Sequence, residues 1–89
     1  MIIYDSFTKS VEKRLARMLL DLFKDMGVDT ERGTVINLRL THEQIAHMIG
    51  SSRQTVTLAL NELQGQGIIQ KDRKRITILE GSALQELAE

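Results

Sequence analysis

Two helix-start patterns and one glycine, close together near the middle of the chain, constrain its fold most strongly. Thr41 and Gln44 form a capping-box pattern, in which each side chain can bond the backbone N–H of the other residue. Ser51 and Gln54 repeat this pattern. Gly50 stands just before the repeat, where a helix of about two turns must end in a residue that tolerates positive φ. The sequence therefore predicts two short helices joined by a tight turn.

Residues 41–63 also show the apolar spacing of a packed helix pair. Apolar side chains recur at helical spacing, which gives each helix one face to bury against the other. The small Ala46 lies where the two helices must approach closely. We therefore predict a helix-turn-helix over about 41–63. Its larger apolar residues are Ile45, Ile49, Val56, Leu60 and Leu63.

The polar face of the second helix suits base recognition. Arginine can bond bidentately to guanine, glutamine to adenine, and serine or threonine to phosphate or base. A helix-turn-helix places the first residues of its second helix on base edges in the major groove, so this face predicts DNA binding. The alternative is an ordinary helical hairpin in a small core. The polar residues are Ser52, Arg53, Gln54, Thr55 and Thr57.

A charged hairpin is predicted after the helix pair. Gly65 and Gly67 interrupt the helical pattern, and residues 68–71 and 75–79 have the composition of two strands. So small a hairpin must pack beside the helices. The predicted fold class is therefore α+β: a winged helix-turn-helix, in which a helical bundle carries a small antiparallel sheet that forms the wing over about 68–79.

Four cations near the tip of this wing are candidates for contact with the DNA backbone. Lysine and arginine gain counterion release when they bind phosphate. The alternative is that these charges only keep an exposed hairpin soluble and block edge pairing. The four residues are Lys71, Arg73, Lys74 and Arg75.

The flanking segments complete the predicted domain. Residues 8–26 have the pattern of a basic amphipathic helix, whose apolar stripe favours packing on the helix pair over a membrane surface. Residues 28–33 are predicted to form an acidic loop, and residues 34–40 alternate like a half-buried strand. Ser82 and Gln85 form a third capping box, which predicts a short terminal helix.

Composition bounds the class of protein. Eighty-nine residues with 42% apolar content make one domain with a modest core. The chain has no cysteine and no apolar run that approaches a membrane span, so we expect a soluble, cytoplasmic protein without disulfides. Twelve basic and twelve acidic side chains cancel, but residues 51–79 hold five basic and two acidic ones. We therefore expect one basic face.

The sequence lacks the residue patterns of catalysis. His42 and His47 are five positions apart, which does not place two metal ligands on one helical face. There is no glycine-rich phosphate loop after a strand and no nucleophile with a plausible base. We predict no metal, no cofactor in this domain and no enzymatic activity. His42 is expected near a phosphate, and His47 on the helix surface.

The chain resembles, over nearly its whole length, the C-terminal DNA-binding domain of the Crp/Fnr family of bacterial transcription regulators. The most specific segment is 49–56, which is similar to the start of the family's recognition helix. The resemblance implies that Arg53 contacts a guanine and that Gln54 contacts the opposite strand. It also implies phosphate contacts for Thr41, Ser52 and Thr55.

Two residues depart from the family pattern. Gln54 stands where a glutamate is common, and its amide can donate as well as accept, so adenine becomes acceptable. Leu58 stands where many members have a second base-contacting arginine, and it offers only an apolar contact, for example to a thymine methyl group. The half-site is therefore expected to differ from the familiar one of the family.

The resemblance also implies a longer parent protein. Family members carry an N-terminal effector-binding domain and a helix that forms a homodimer. Residues 1–7 are therefore interpreted as a hinge remnant and residues 8–89 as the winged-helix domain, with RNA polymerase as a possible partner of the acidic loop 28–33. The alternative function is a protein-interaction winged helix with no sequence-specific DNA binding, which the zero net charge keeps open.

Overall fold

The computed structural model of the protein describes residues 6–89, with side chains described from Lys9 onward. Its strands form one antiparallel sheet in the order β1-β2-β4-β3. The predicted α+β winged helix is confirmed. The described residues contain α1 (Ser6–Met26), β1 (Gly27–Asp29), β2 (Thr34–Ile36), α2 (His42–Ile49), α3 (Arg53–Gly65), β3 (Ile69–Asp72), β4 (Arg75–Ile78) and α4 (Gly81–Ala88).

The core lies where α1, α2, α3 and α4 meet one face of the sheet. The apolar stripe of α1 supplies Val11, Leu15 and Leu19, all fully buried. Met26, at the end of the predicted stripe, is instead exposed. The helix pair and the sheet contribute buried aliphatic side chains, as their spacing predicted. These include Ile36, Leu40, Ile45, Val56, Leu60, Leu63, Ile69, Ile76 and Ile78.

Two arginines of α1 bind the C-terminal ends of α2 and α4 through hydrogen bonds. The Arg14 Nε donates to the carbonyl oxygen of Ile49 at 3.0 Å, at the end of α2. The Arg17 Nε donates to the carbonyl oxygen of Ala88 at 2.8 Å, at the end of α4. Cations are favourable at helix C-termini, where carbonyl groups lack helical partners. These arginines therefore hold the scaffold that carries the helix pair.

The segment between α1 and α2 differs from its prediction. The strand predicted over 34–40 ends at Ile36, although Leu40 is buried after it. The loop predicted over 28–33 begins as strand, because Gly27–Asp29 pairs with β2. A side chain at Gly27 would collide with the carbonyl oxygen of Phe23, so only glycine allows this strand to follow α1 directly.

The chain start and the last helix also bear on the predictions. Residues 1–5 of the predicted hinge remnant lie outside the described residues, and α1 begins at Ser6, two residues before its predicted start. The predicted capping box at the last helix is wrong: α4 begins at Gly81, and its N-cap Glu80 makes no side-chain cap hydrogen bond.

Candidate nucleic-acid interface

The start of α2 has the predicted capping box. The Thr41 hydroxyl accepts from the backbone N–H of Gln44 at 3.0 Å, and the Gln44 side chain accepts from the backbone N–H of Thr41 at 2.9 Å. Gly50 ends the helix in the left-handed region, with φ of 70° and ψ of 45°, as predicted. The helix-turn-helix therefore begins and turns where its sequence indicated.

The second capping box is wrong by one residue. Ser52, not Ser51, is the N-cap of α3, and its hydroxyl accepts from the backbone N–H of Thr55 at 3.1 Å. The two hydroxyl oxygens of Ser52 and Thr55 lie 2.8 Å apart. Whichever hydroxyl donates within this pair, the proton of the other remains available to an acceptor such as a phosphate. The Ser51 hydroxyl is buried without a partner.

The wing turns through two residues in left-handed conformation. Arg73 has φ of 51° and Lys74 has φ of 69°, the pairing of a tight hairpin that normally favours glycine or asparagine. The carbonyl oxygen of Lys74 accepts from the backbone N–H of Leu40 at 2.8 Å. The Gln64 side chain accepts from the backbone N–H of Lys71 at 3.1 Å. The first bond connects the wing to the segment that leads into α2, and the second connects it to α3.

These bonds create a cleft between α2, α3 and the wing, here called the basic cleft. It has a volume of about 340 Å³. Three cations converge on it, one from the first turn of α3 and two from the wing, and Glu43 is the acidic residue of its lining. The first residues of α2 and α3 lie at this cleft, so the helix dipoles add to its positive potential. It is lined by Leu40, Thr41, His42, Glu43, Arg53, Lys71 and Lys74.

His42 lies within this cleft and links it to α3. Its Nδ1 lies 2.7 Å from the Thr57 hydroxyl oxygen, and its Nε2 is buried without a partner. Burial, followed by the positive charges of Lys71 and Arg53, lowers the pKa of His42. A neutral imidazole can donate from Nε2 while Nδ1 accepts from Thr57. His47 is exposed, as predicted.

The other two wing cations lie elsewhere. Arg73 and Arg75 line a separate groove, here called the rear groove, together with Arg39 and Asp72. Alternation along β4 explains the position of Arg75, because Arg75 and Thr77 lie on one face of the strand while Ile76 and Ile78 are buried on the other. The structure therefore brings Lys71 and Lys74, but not Arg73 and Arg75, beside Thr41 and Arg53.

The outward face of α3 is open. Arg53 and Gln54 are exposed in its first turn, and Thr57 is half-buried because of its bond to His42. Leu58 is exposed one turn after Gln54. These four side chains line a shallow groove of about 400 Å³ along the helix.

The sequence did not identify two residues that hold the wing in position. The sequence predicted Leu40 only as a strand position and gave Gln64 no role, yet their bonds hold the wing in place. No local pattern indicates such long-range bonds. Among the residues that the structure describes, no three histidine, cysteine or acidic side chains are arranged to hold a metal ion. None of the described helices is both long and apolar enough to cross a membrane.

A helix-turn-helix followed by a basic hairpin that is hydrogen-bonded to it defines a winged-helix protein. Residues 13–87 match the model of the Crp-like helix-turn-helix domain, so the chain belongs to this family. This confirms the resemblance found in the sequence. The family is one of transcription regulators and not of enzymes, which also confirms the prediction of no enzymatic activity.

Individual relatives agree with this assignment. The chain is 38% identical to the global nitrogen regulator of Synechococcus elongatus over 88% of its own length. It is 37% identical to the transcriptional regulator SdrP of Thermus thermophilus over 92% of its length. It spans 35% and 40% of the lengths of these two proteins.

Solved structures show the same fold. The CO-dependent transcription factor CooA from Carboxydothermus hydrogenoformans, in an imidazole-bound form, superposes with a TM-score of 0.86 at 30% identity. The superposition covers 91% of this chain and 38% of that one. The Crp/Fnr-family regulator TTHA1359 from Thermus thermophilus gives a TM-score of 0.76 at 35% identity, and covers 86% of this chain and 39% of that one.

Proposed function

We propose that this domain binds double-stranded DNA in a sequence-specific manner, with α3 in the major groove and the wing on the backbone. The basic cleft is the observation that carries the proposal. It joins Arg53, from the first turn of the recognition helix, to Lys71 and Lys74 of the wing. A phosphate that enters the cleft would therefore fix the register of α3 in the groove.

Arg53 and Gln54 are the proposed base-contacting residues. Both are exposed in the first turn of α3, the part of a recognition helix that meets base edges. Arginine suits guanine and glutamine suits adenine. Thr57 is a third base contact. Its hydroxyl, held by His42, still has hydrogen-bonding capacity toward a base.

The backbone contacts divide into two groups. Thr41, Ser52 and Thr55 stand at the starts of α2 and α3, where unpaired backbone N–H groups also attract phosphate. Lys71 and Lys74 neutralise phosphates at the cleft. The remaining proposed backbone contacts, Arg73 and Arg75, lie in the rear groove and would meet only DNA that flanks the half-site.

Selection from a randomised duplex pool tests the proposal. The wild-type domain is expected to enrich a short half-site. Its affinity for the selected duplexes, measured by fluorescence anisotropy, should depend strongly on salt concentration. Arg53→Ala should lose the enrichment at one base pair. A folded domain that enriches no sequence even at low salt would contradict the proposal and favour the alternative, a protein-interaction winged helix.

The parent protein is proposed to act as a homodimer on two half-sites in the bacterial cytoplasm. A winged-helix domain that contacts one half-site gains affinity when a second copy is tethered beside it.

RNA polymerase is a further proposed partner, through residues 28–33. The β1–β2 hairpin places this acidic segment at the sheet edge opposite β3 of the wing. It would therefore remain accessible when the wing lies on DNA. Charge reversal at Asp29 and Glu31 should impair activated transcription but not DNA binding. If activated transcription is unchanged, the contact is absent.

A further inference from the structure

Leu58 is a large apolar side chain on the outward face of α3. It is 51% exposed, whereas the core residues of the same helix are almost fully buried. Leu58 is therefore not needed to fill the core. A single exposed leucine is ordinary on a protein surface, so its neighbours must decide whether it has a function.

The neighbours of Leu58 are the proposed base-contacting residues. It lines one groove with Arg53, Gln54 and Thr57, and it follows Gln54 by four positions, which places the two side chains on the same face of the helix. Hydrogen-bonding groups thus lie beside an apolar surface. A helix in the major groove would bring this face to consecutive base pairs.

We propose that Leu58 contacts the C5-methyl group of a thymine and so selects thymine at one position of the half-site. This inference rests on the proposed function. The thymine methyl group is the apolar group among the base edges of the major groove. Leucine cannot satisfy a donor or an acceptor, so against other base edges it would remove water from a polar group without replacing its hydrogen bond.

Replacement of thymine by deoxyuridine tests this contact, because it removes only the methyl group. Each thymine of the selected half-site is replaced in turn, and affinity is measured by fluorescence anisotropy. Wild type is expected to lose about fourfold in affinity at one position, the factor that corresponds to one buried methyl or methylene group. Leu58→Ala should show no such loss at that position, which isolates the pairwise contact.

Met48→Ala is the matched control. Met48 is also 51% exposed, but it lies on α2 in a different groove with Leu38 and Leu40. This variant should keep both the wild-type affinity and the deoxyuridine penalty. Thermal unfolding of both variants checks that they fold.

The outcomes separate this inference from the function on which it rests. A selected half-site at which wild type and Leu58→Ala respond equally to every deoxyuridine would overturn the methyl contact and leave DNA binding intact. A pool that yields no half-site would overturn the proposed function and the methyl contact with it.

Discussion

The basic cleft and the rear groove each hold three cations, yet they offer different chemistry. In the basic cleft, Arg53, Lys71 and Lys74 lie beside the starts of two helices. In the rear groove, Arg39, Arg73 and Arg75 lie beside Asp72, on strands and loop, without a helix start in the lining. Aligned N–H groups and the capping hydroxyl of Thr41 therefore accompany the charge in the cleft but not in the groove. The comparison predicts that a phosphate binds in the basic cleft and not in the rear groove, although the two hold the same number of cations.

The largest expected effect is on Arg53. Arg53→Ala should cost about 1 to 3 kcal/mol of binding free energy on the selected half-site and relax the preference at one base pair, because a bidentate base contact is lost. Arg75→Ala removes the same charge from the rear groove and serves as the control. Anisotropy titrations on the selected and random duplexes give the binding free energy of each variant on each duplex. Equal losses on the two duplexes for Arg53→Ala would contradict its role as a base contact.

The next effect concerns the helix start that supports the cleft. Ser52→Ala removes the N-cap of α3 and should lower the free energy of unfolding by about 1 kcal/mol. Ser51→Ala, one residue away, removes a buried hydroxyl that has no partner, so it should leave stability unchanged or raise it.

Urea denaturation of the two serine variants compares them directly. A larger loss for Ser51→Ala than for Ser52→Ala would show that the helix begins at the residue the sequence first suggested. Ser52→Ala should also lower DNA affinity more than Ser51→Ala does, because it removes a proposed phosphate contact and because a frayed start of α3 displaces Arg53.

Local patterns predicted the elements, while long-range bonds determined the site. The Thr41 box, the turn at Gly50 and the basic hairpin all depend on neighbouring residues, so the sequence sufficed for them. The choice between Ser51 and Ser52 did not follow from spacing, since both precede the same helix. It depends on the turn, in which the backbone N–H of Ser51 bonds the carbonyl oxygen of Ala46 at 2.9 Å.

The sequence also did not predict which wing cations lie at the basic cleft and which lie in the rear groove. Four basic residues near the tip of one hairpin look equivalent in the sequence, and alternation alone does not say which surface the wing presents to the helices. The bond from Leu40 to Lys74 fixes that surface. The predicted contact set therefore mixes residues at the cleft with Arg73 and Arg75, which lie away from it.

The two turn residues of the wing allow a matched test of this division. Lys74→Ala should weaken binding to all sequences by less than about 1 kcal/mol and reduce the salt slope by about one, because one phosphate contact is lost. Arg73→Ala carries the same charge change at the same kind of backbone position. On a duplex no longer than the half-site it should leave the slope unchanged, because Arg73 would meet only flanking DNA. Anisotropy at several salt concentrations measures both slopes. Equal slopes for the two variants would remove the distinction between cleft and groove.

The smallest expected effect is the pH dependence that His42 gives to the cleft. Its pKa is lowered in the folded protein, first by burial and then by Lys71 and Arg53, whereas the unfolded chain should have the ordinary value near 6.5. Below that value the unfolded chain binds a proton at His42 more readily than the folded protein does. Neutral His42 therefore contributes to the free energy of unfolding above about pH 6.5, and this contribution is lost as the pH falls.

DNA should act on His42 in the opposite direction. A phosphate in the cleft would favour the protonated imidazole, so we expect binding to raise the pKa of His42 above its value in the free domain and affinity to increase as the pH falls. His42→Gln cannot titrate and should lose both trends, while the exposed His47→Gln should keep them. Urea denaturation and anisotropy between pH 5 and 8 measure the two trends. Stability and affinity that fall together in wild type would mean that no phosphate reaches His42, and that the cleft contacts DNA only at its rim of cations.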